Sequence, residues 1–199
     1  MILAFDTSSS ACTAALFDGS GTCVGKADEL IARGHAERLV PMIAELMDGR
    51  SATRILVGVG PGSFTGIRVA IAAAHGLAIG WGAELYGISS LALLAAGSGA
   101  VGAAVQGGHG ELFVQQFNEG TNPTTELVNA APAQAARLIT SELVIGSGSA
   151  QLVAARGSGE AREAWPSAAN ALLLPEALRS FAPKPIYSRD PDARVPEAA

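Results

Sequence analysis

The sequence predicts an α/β protein in which one order of strands and helices occurs twice. Residues 54–57 form a short apolar, β-branched run that leads through Gly60-Pro61-Gly62 into a long apolar stretch, a pattern typical of a strand, a glycine turn and a helix. Three strands precede this unit, and the order of three strands, helix, strand and helix returns after residue 100. We therefore expect two lobes, at residues 1–100 and 101–199, each with a sheet and flanking helices.

The first lobe opens with three strands that form a meander. We predict them at residues 2–5, 11–17 and 22–30, because turn residues at 6–10 and 18–21 interrupt the apolar pattern. A helix follows at 35–47, where apolar residues recur at spacings of three and four, and then the strand at 54–57. Ser63 or Thr65 can cap the next helix, which extends to Gly80. A strand at 84–88 and a helix at 90–96 complete the lobe.

The second lobe repeats this order with weaker signals. A hairpin of strands at 102–106 and 111–117 turns at residues 107–110, and a third strand is predicted at 124–128. A helix at 132–139, a strand at 143–145 and a helix opened by Gly146-Ser147-Gly148-Ser149 follow. Beyond them we expect a short helix at 168–181 and an irregular tail.

Two helices of the first lobe have more apolar surface than one sheet can cover. On the helix at 35–47 the apolar arc spans about 200°, whereas packing on a core needs about 100°. On the next helix Ile67, Ile71 and Ala78 share the sheet side, and small residues lie opposite. We expect a partner chain to cover these surfaces. The predicted partner interface comprises Leu39, Val40, Ile43 and Met47 on the first helix and Val69, Ala72, Ala73 and Gly76 on the second.

Composition limits the possible functions. The formal charge of −5 and a pI near 5.2 disfavour a protein that binds RNA or DNA by itself. Cys12 and Cys23 have no CxxC spacing, so we expect free thiols in a reducing cytoplasm. We also expect no signal peptide, because Asp6 interrupts the N-terminal apolar run, and no membrane-spanning helix.

The turn after the first strand is the candidate for phosphate chemistry. Asp6, Thr7 and Ser8 could hold a metal-bound phosphate together with Gly60, Gly62 and Ser63 of the glycine turn, or they could merely shape an Asx turn. The sequence has no P-loop, no HxxxH or HExxH and no nucleophile elbow, so we predict no metal site and no catalytic residue. Gln106 occupies the position in the second hairpin that matches Asp6, which argues against phosphoryl transfer.

Five segments together resemble the bacterial TsaB family. They are Ile2-Leu-Ala-Phe-Asp-Thr-Ser, His35-Ala-Glu-Arg-Leu-Val-Pro-Met-Ile, Gly60-Pro-Gly-Ser-Phe-Thr-Gly-Ile-Arg68, Gly87-Ile-Ser-Ser-Leu91 and Pro185-Ile-Tyr-Ser-Arg189. The resemblance implies an α/β, actin-like ATPase fold of two ribonuclease-H-like lobes, with mixed sheets flanked by helices. Two departures from the family are Gln106-Gly107-Gly108, where Asp-Ala-Arg is common, and a short C-terminal lobe.

The resemblance also implies a function in making N6-threonylcarbamoyladenosine in tRNA. TsaB-like proteins are non-catalytic subunits that bind the catalytic subunit TsaD through their first two helices, and they form homodimers through the same helices when alone. A small ATPase, TsaE, docks on the pair, and tRNA is contacted only indirectly. The expectation is therefore a cytoplasmic scaffold without a tightly bound cofactor, with ATP or ADP possible at the interface of the complex. The alternatives are a metallopeptidase of the glycoprotease type, a small-molecule kinase and a nucleotide-binding module.

Overall fold

Two five-stranded sheets with helices packed against them make up the chain in the computed structural model, which describes residues 1–186. The irregular tail predicted beyond this range, with the end of the motif at 185–189, lies outside the described residues.

The first sheet has the strand order β3-β2-β1-β4-β5. β1 pairs antiparallel with β2 and parallel with β4, so the sheet is mixed. Its helices α1 and α2 lie in the connections from β3 to β4 and from β4 to β5, and α3 follows β5. The elements are β1 (Ile2–Asp6), β2 (Ala11–Phe17), β3 (Cys23–Leu30), α1 (His35–Met47), β4 (Arg54–Gly58), α2 (Phe64–Trp81), β5 (Glu84–Ile88) and α3 (Ser90–Ala95).

The second sheet repeats the topology of the first. Its order is β10-β9-β6-β7-β8, with antiparallel β6–β7 and β7–β8 pairs and parallel β6–β9 and β9–β10 pairs. β6 thus takes the place of β1, and the internal repetition predicted from the sequence is present in the fold. The elements are β6 (Val101–Gln106), β7 (Leu112–Phe117), β8 (Val128–Ala130), α4 (Pro132–Leu138), β9 (Leu143–Ile145), α5 (Ser149–Arg156) and β10 (Glu160–Arg162).

Three apolar clusters hold these layers together. Leu3, Phe5 and Val57 point from the first sheet toward α1 and α2 and form the outer cluster of the first lobe. The opposite face of that sheet packs with α3 and with Val101 and Ile145 of the second sheet, so one core is shared by both lobes. A third cluster lies between the second sheet and the helices α4 and α5. Both central strands of the first sheet, β1 and β4, are therefore covered on both faces.

The chain returns to the first lobe after β10, which corrects the boundary predicted for the second lobe. Ala168 donates its backbone N–H to the hydroxyl of Thr13 in β2 at 2.8 Å, and Ala168, Ala171 and Leu174 are buried in the shared core. Phe181 forms an antiparallel bridge to Gly87 of β5. We call residues 163–186 the C-terminal strap, and it belongs structurally to the first sheet.

Two elements of the second half differ from the prediction. The helix predicted at 168–181 is a pair of 3₁₀ turns, Ala168–Leu173 and Glu176–Leu178, because Pro175 lies between them and has no N–H for a continuous helix. The strand predicted at 124–128 is displaced to β8, because the hydroxyl of Thr125 accepts the backbone N–H of Gln116 at 3.0 Å in place of a strand ladder.

α2 combines the length of a membrane span with an apolar composition, although the sequence predicts no membrane-spanning helix. Its 18 residues have a mean hydropathy of 1.3, so by length and composition alone it could span a membrane. In the folded lobe one side of the helix, with Ile67, Ala70 and Ala74, is buried against the sheet. Its hydropathy therefore arises from a core-facing side and from an outer side made largely of small residues.

Candidate functional site

Asp6 lies at the end of β1, beneath the turn into β2, and is fully buried. Its Oδ1 accepts hydrogen bonds from the backbone N–H and from the hydroxyl of Ser8, both at 2.7 Å. Its Oδ2 accepts a hydrogen bond from the hydroxyl of Ser90, and Ser90 Oγ accepts the backbone N–H of Gly60 at 3.1 Å. Both carboxylate oxygens therefore have donors within the chain, and Asp6 joins β1 to the glycine turn and to α3.

The glycine turn fits against this carboxylate with no room for a side chain. A Cβ added to Gly58 would lie 1.8 Å from Asp6 Oδ2, and one added to Gly66 would lie 1.9 Å from the carbonyl oxygen of Thr7. Thr7 donates its hydroxyl to the carbonyl of Gly66 at 2.7 Å, and Ser63 donates its backbone N–H to the carbonyl of Ser8 at 2.6 Å. The side chain of Ser63 caps α2 by accepting the N–H of Gly66. The turn thus locks the start of α2 onto the end of β1.

This geometry divides the predicted nucleotide-binding residues into two groups. Asp6, Thr7 and Gly60 are buried and bonded within the chain, so in this fold they cannot touch a nucleotide, and they act as structural residues. Their burial favours the alternative in which this segment shapes an Asx turn. Ser63 is exposed and lines an open cleft, with Gly62 half-buried beside it; Ser8 borders the same cleft but is buried and donates its hydroxyl to Asp6.

The cleft lies between the two lobes and has a volume of about 550 Å³. The first lobe contributes Ser8–Ser10 and the starts of α1 and α2, and the second contributes Gln106 and Ser147. Trp165 of the C-terminal strap supplies an aromatic side chain to the same cleft. His35 also lines it, and within residues 1–186 its buried Nε2 has no hydrogen-bond partner. Hydroxyls, an amide and an aromatic ring suit a small polar ligand with a planar part.

α1 corrects three of the eight residues of the predicted partner interface. Leu39, Ile43 and Met47 are 0–2% exposed and belong to the outer cluster of the first lobe. They have no surface left for a partner, so their assignment to an interface is wrong. The apolar arc is as wide as the sequence predicts, but the sheet covers its centre and leaves one margin open. Val40 lies on that margin and is 52% exposed, and Ala36 and Ala44 are exposed beside it.

α2 has two of its four predicted interface residues on the surface. Ala72 and Gly76 are exposed, whereas Val69 and Ala73 are half-buried at the edge toward the core. Sequence reasoning missed the two large residues of this side, Phe64 at 63% and Ile79 at 83% exposure. At 100° per residue Ile79 lies close to Ala72, so the helical periodicity contained this signal. We call the set of Val40, Phe64, Ala72, Gly76 and Ile79 the helical face; α1 and α2, which carry it, contact each other.

One charged group stands within the helical face. The guanidinium carbon of Arg68 lies 3.2 Å from the centre of the Phe64 ring, so the cation stacks on the aromatic face. Arg68 and His75 are exposed, and they are the polar side chains of α2 apart from Thr65. A partner of this surface would therefore meet small apolar residues and a guanidinium held in place by Phe64.

Neither cysteine offers catalytic chemistry in this arrangement. Both thiols are free; Cys12 is buried next to Met42, and Cys23 is exposed. Burial, with a smaller contribution from Glu29, raises the pKa of Cys12 to about 11, so this thiol is protonated at neutral pH. Within residues 1–186, no three His, Cys, Asp or Glu side chains come close enough together to hold a metal ion.

Comparison with known proteins agrees with this architecture. Residues 25–170 match the family model of TsaD, tRNA N6-adenosine threonylcarbamoyltransferase. The Escherichia coli (strain K12) tRNA threonylcarbamoyladenosine biosynthesis protein TsaB is 39% identical over 132 residues, which cover 61% of this chain and 56% of that protein. The protein of the same name from Haemophilus influenzae is 39% identical over 100 residues, or 47% of this chain and 41% of the relative. The matching segments thus span about half the length of these relatives.

Solved structures extend the likeness to the whole described fold. A Pseudomonas aeruginosa protein described as similar to the peptidase YeaZ superposes with a TM-score of 0.77 at 28% identity, covering 94% of this chain and 99% of its own. YeaZ from Pseudomonas aeruginosa superposes with a TM-score of 0.76 at 27% identity, over 94% and 98% of the two chains. The two mixed sheets of repeated topology are the actin-like ATPase type of fold. Because the family match extends over most of the sequence, the chain belongs to the TsaD family, and the curated relatives that it matches over about half of their length are named TsaB.

Proposed function

We propose that this chain is a non-catalytic scaffold subunit in tRNA N6-threonylcarbamoyladenosine biosynthesis that binds and supports a TsaD-like catalytic subunit. The observation that carries the proposal is the helical face, where Phe64 and Ile79 expose more than half of their surface. Large exposed apolar side chains among small residues are typical of a site of protein association. Ala72 and Gly76 let the backbone of a second helix approach closely, because neither has a side chain larger than a methyl group.

The hydrogen bonds that Asp6 accepts favour a scaffold function over an enzymatic one. In a metallopeptidase or kinase of this fold, a carboxylate at this place would have to bind a metal or a metal-bound phosphate. Here both of its oxygens accept hydrogen bonds from Ser8 and Ser90. Releasing them would leave two serine hydroxyls without an acceptor in a buried site, which costs about 1 to 3 kcal/mol for each group. Gln106, at the matching place in the second lobe, offers an amide where a second carboxylate would be needed.

The partners follow from the family. We propose a TsaD-like subunit on the helical face, self-association through the same face when that subunit is absent, and a TsaE-like ATPase on the assembled pair. Contact with tRNA would then be indirect, in agreement with the acidic composition of the chain. Such a complex would act in the cytoplasm, where tRNA is modified.

Reconstitution with the TsaD-like protein of the same organism tests the proposal. The chain alone should transfer no threonylcarbamoyl group to tRNA, and the TsaD-like protein should gain activity when the chain is added. The chain should also restore the modification in cells depleted of their own TsaB. Transfer by the purified chain without a partner would refute the proposal, and so would failure of the two proteins to copurify.

A nucleotide-binding module is a second candidate, and the cleft between the lobes favours it. ATP or ADP could enter this cleft, meet the exposed hydroxyl of Ser63 and stack on Trp165. The buried Nε2 of His35 would then acquire a hydrogen-bond partner. Calorimetry with ATP and ADP, on the chain alone and on the complex, tests this candidate. Binding that Trp165→Ala weakens would support it, and the absence of heat in both titrations would refute it.

A further inference from the structure

β3 forms an edge of the first sheet and has a strand neighbour on one side only within residues 1–186. Its exposed side chains include two large apolar residues, Val24 at 50% and Leu30 at 61% exposure. Between them lie Lys26 and Asp28, whose side chains are 63% and 36% exposed. An edge of this length has unpaired backbone groups along its free side and is a template for a further strand.

The sequence of β3 is self-complementary about Ala27. If a second copy of β3 pairs antiparallel with this one and Ala27 lies on the two-fold axis, position 26 faces position 28 and position 24 faces position 30. Lys26 then lies opposite Asp28 of the copy, and Val24 opposite Leu30, each pair occurring twice by symmetry. The two Lys–Asp pairs would thus lie at the centre of the joined strands, with a Val–Leu pair on either side. Val24 is the bulged residue of the β2–β3 ladder, so the two Val24–Leu30 pairs lie at the ends of the joint ladder, and each β3 is regular from Gly25 to Leu30.

Asp28 is held in place by its own chain. Its carboxylate accepts hydrogen bonds from the hydroxyls of Thr13 and Ser167, so it is fixed by its own sheet and by the C-terminal strap. Within one chain Lys26 Nζ lies 3.9 Å from Asp28, at the limit of an ion pair. The lysine is therefore free to exchange this weak contact for the carboxylate of a second copy at little cost.

We propose that β3 is a self-association surface on which a second copy of this chain pairs antiparallel, with Lys26 opposite Asp28 across a two-fold axis at Ala27. The first sheets of the two copies would join into one continuous sheet. This edge is separate from the α2 part of the helical face, because α2 contacts β4 and β5 and β3 is the opposite edge of the sheet; α1, which carries Val40, packs on β2 and β3. The inference therefore does not depend on the proposed function.

Sedimentation of charge-reversal variants tests the contact. Lys26→Glu places two carboxylates opposite each other twice in the dimer, and it should weaken self-association roughly tenfold or more. Lys184→Glu, which makes the same change at an exposed lysine of the strap, should have no effect. Ala72→Glu, in the helical face, should leave the β3 contact intact. Circular dichroism of Lys26→Glu should match that of the wild type, since this side chain is exposed.

Cysteine crosslinking tests the register. In a Cys23→Ser background, Ala27→Cys should form a disulfide-linked dimer, because directly opposed Cβ atoms in an antiparallel pair lie about 5 Å apart. Thr22→Cys, at an exposed position whose symmetry mates would lie far apart, should remain monomeric. Equal self-association of Lys26→Glu and Lys184→Glu would overturn the proposal. A chain that stays monomeric in the Ala72→Glu background would also overturn it, and Lys26 would then serve only to protect the edge from pairing.

Discussion

Ala72→Glu is the substitution that tests the helical face most directly. Ala72 is exposed near the middle of the open side of α2, with Gly76 one turn away and Ile79 beyond it. In the free chain the new carboxylate can extend into water, and Glu and Ala differ by only a few tenths of a kcal/mol in helix propensity. Ala73 is less suitable, because it is half-buried against the outer cluster and a glutamate there would disturb the fold itself.

The effect on binding follows from what the partner must cover. A carboxylate enclosed between two apolar helices loses its hydration without gaining a donor, and an uncompensated buried charge costs about 3 to 5 kcal/mol. Since 1.4 kcal/mol corresponds to a tenfold change, affinity for the TsaD-like subunit should fall by more than about a hundredfold. The midpoint of thermal unfolding of the chain alone should change by only a few degrees.

Titration calorimetry with the TsaD-like subunit measures the affinity, and circular dichroism measures the stability. Ala154→Glu is the matched control, because Ala154 is an exposed alanine on α5 of the second lobe. It should bind as the wild type does. If Ala72→Glu is folded and also binds as the wild type does, the helical face is not the docking surface, and the reasoning from exposed apolar residues fails.

Three further outcomes follow from the geometry. Gly66→Ala should lower the free energy of unfolding in urea by roughly 3 kcal/mol, because its Cβ would lie 1.9 Å from a carbonyl oxygen. Gly76→Ala, with open space around the new methyl group, should instead stabilise the chain by up to about 1 kcal/mol. Equal effects of the two substitutions would contradict the packing described. Cys23 should react quickly with a thiol reagent and Cys12 only on unfolding, because Cys12 is buried and burial raises its pKa to about 11. Rapid reaction of both cysteines in the folded chain would contradict the burial of Cys12. Hydrogen bonds to Arg38 lower the pKa of Glu29 and of Glu45, so the stability that these pairs contribute is present above pH 4.5 and is lost as the pH falls through the lowered values. The stability difference between wild type and Arg38→Gln should therefore shrink in acid, and a difference that stays constant would show that the ion pairs contribute nothing.

The sequence predicts local structure well where one pattern determines it. The start of α1 at His35, the strand before the glycine turn and the hairpin of β6 and β7 agree with the fold within a residue or two. Each has a strong periodic signal with turn residues at both ends. β10 has neither, because Glu160-Ala-Arg162 is short and exposed, and only the backbone of β9 makes it a strand.

The sequence does not predict which side of an apolar helix remains uncovered. Periodicity gives the width of the apolar arc on α1, but the position of the sheet decides that Leu39 and Ile43 are core and that Val40 is surface. The C-terminal strap poses the same problem, because its extended course depends on partners more than a hundred positions away, such as Thr13 and Asp28. Contacts at this separation have no signature in a single sequence.

The most recognisable segment of the chain, residues 60–68, anchors α2, and this structural function supports the proposed docking of a partner. In a nucleotide-binding protein a glycine turn before a helix leaves its backbone N–H groups free for a phosphate. Here the N–H of Gly60 is taken by Ser90 and that of Ser63 by the carbonyl of Ser8, so the turn binds the chain itself. The consequence is mechanical, because a helix anchored at its N-terminus to β1 and along one side to the sheet cannot rotate. A rigid α2 keeps Phe64 and Ile79 exposed without collapse onto the core, and a preformed surface loses less entropy when a partner binds.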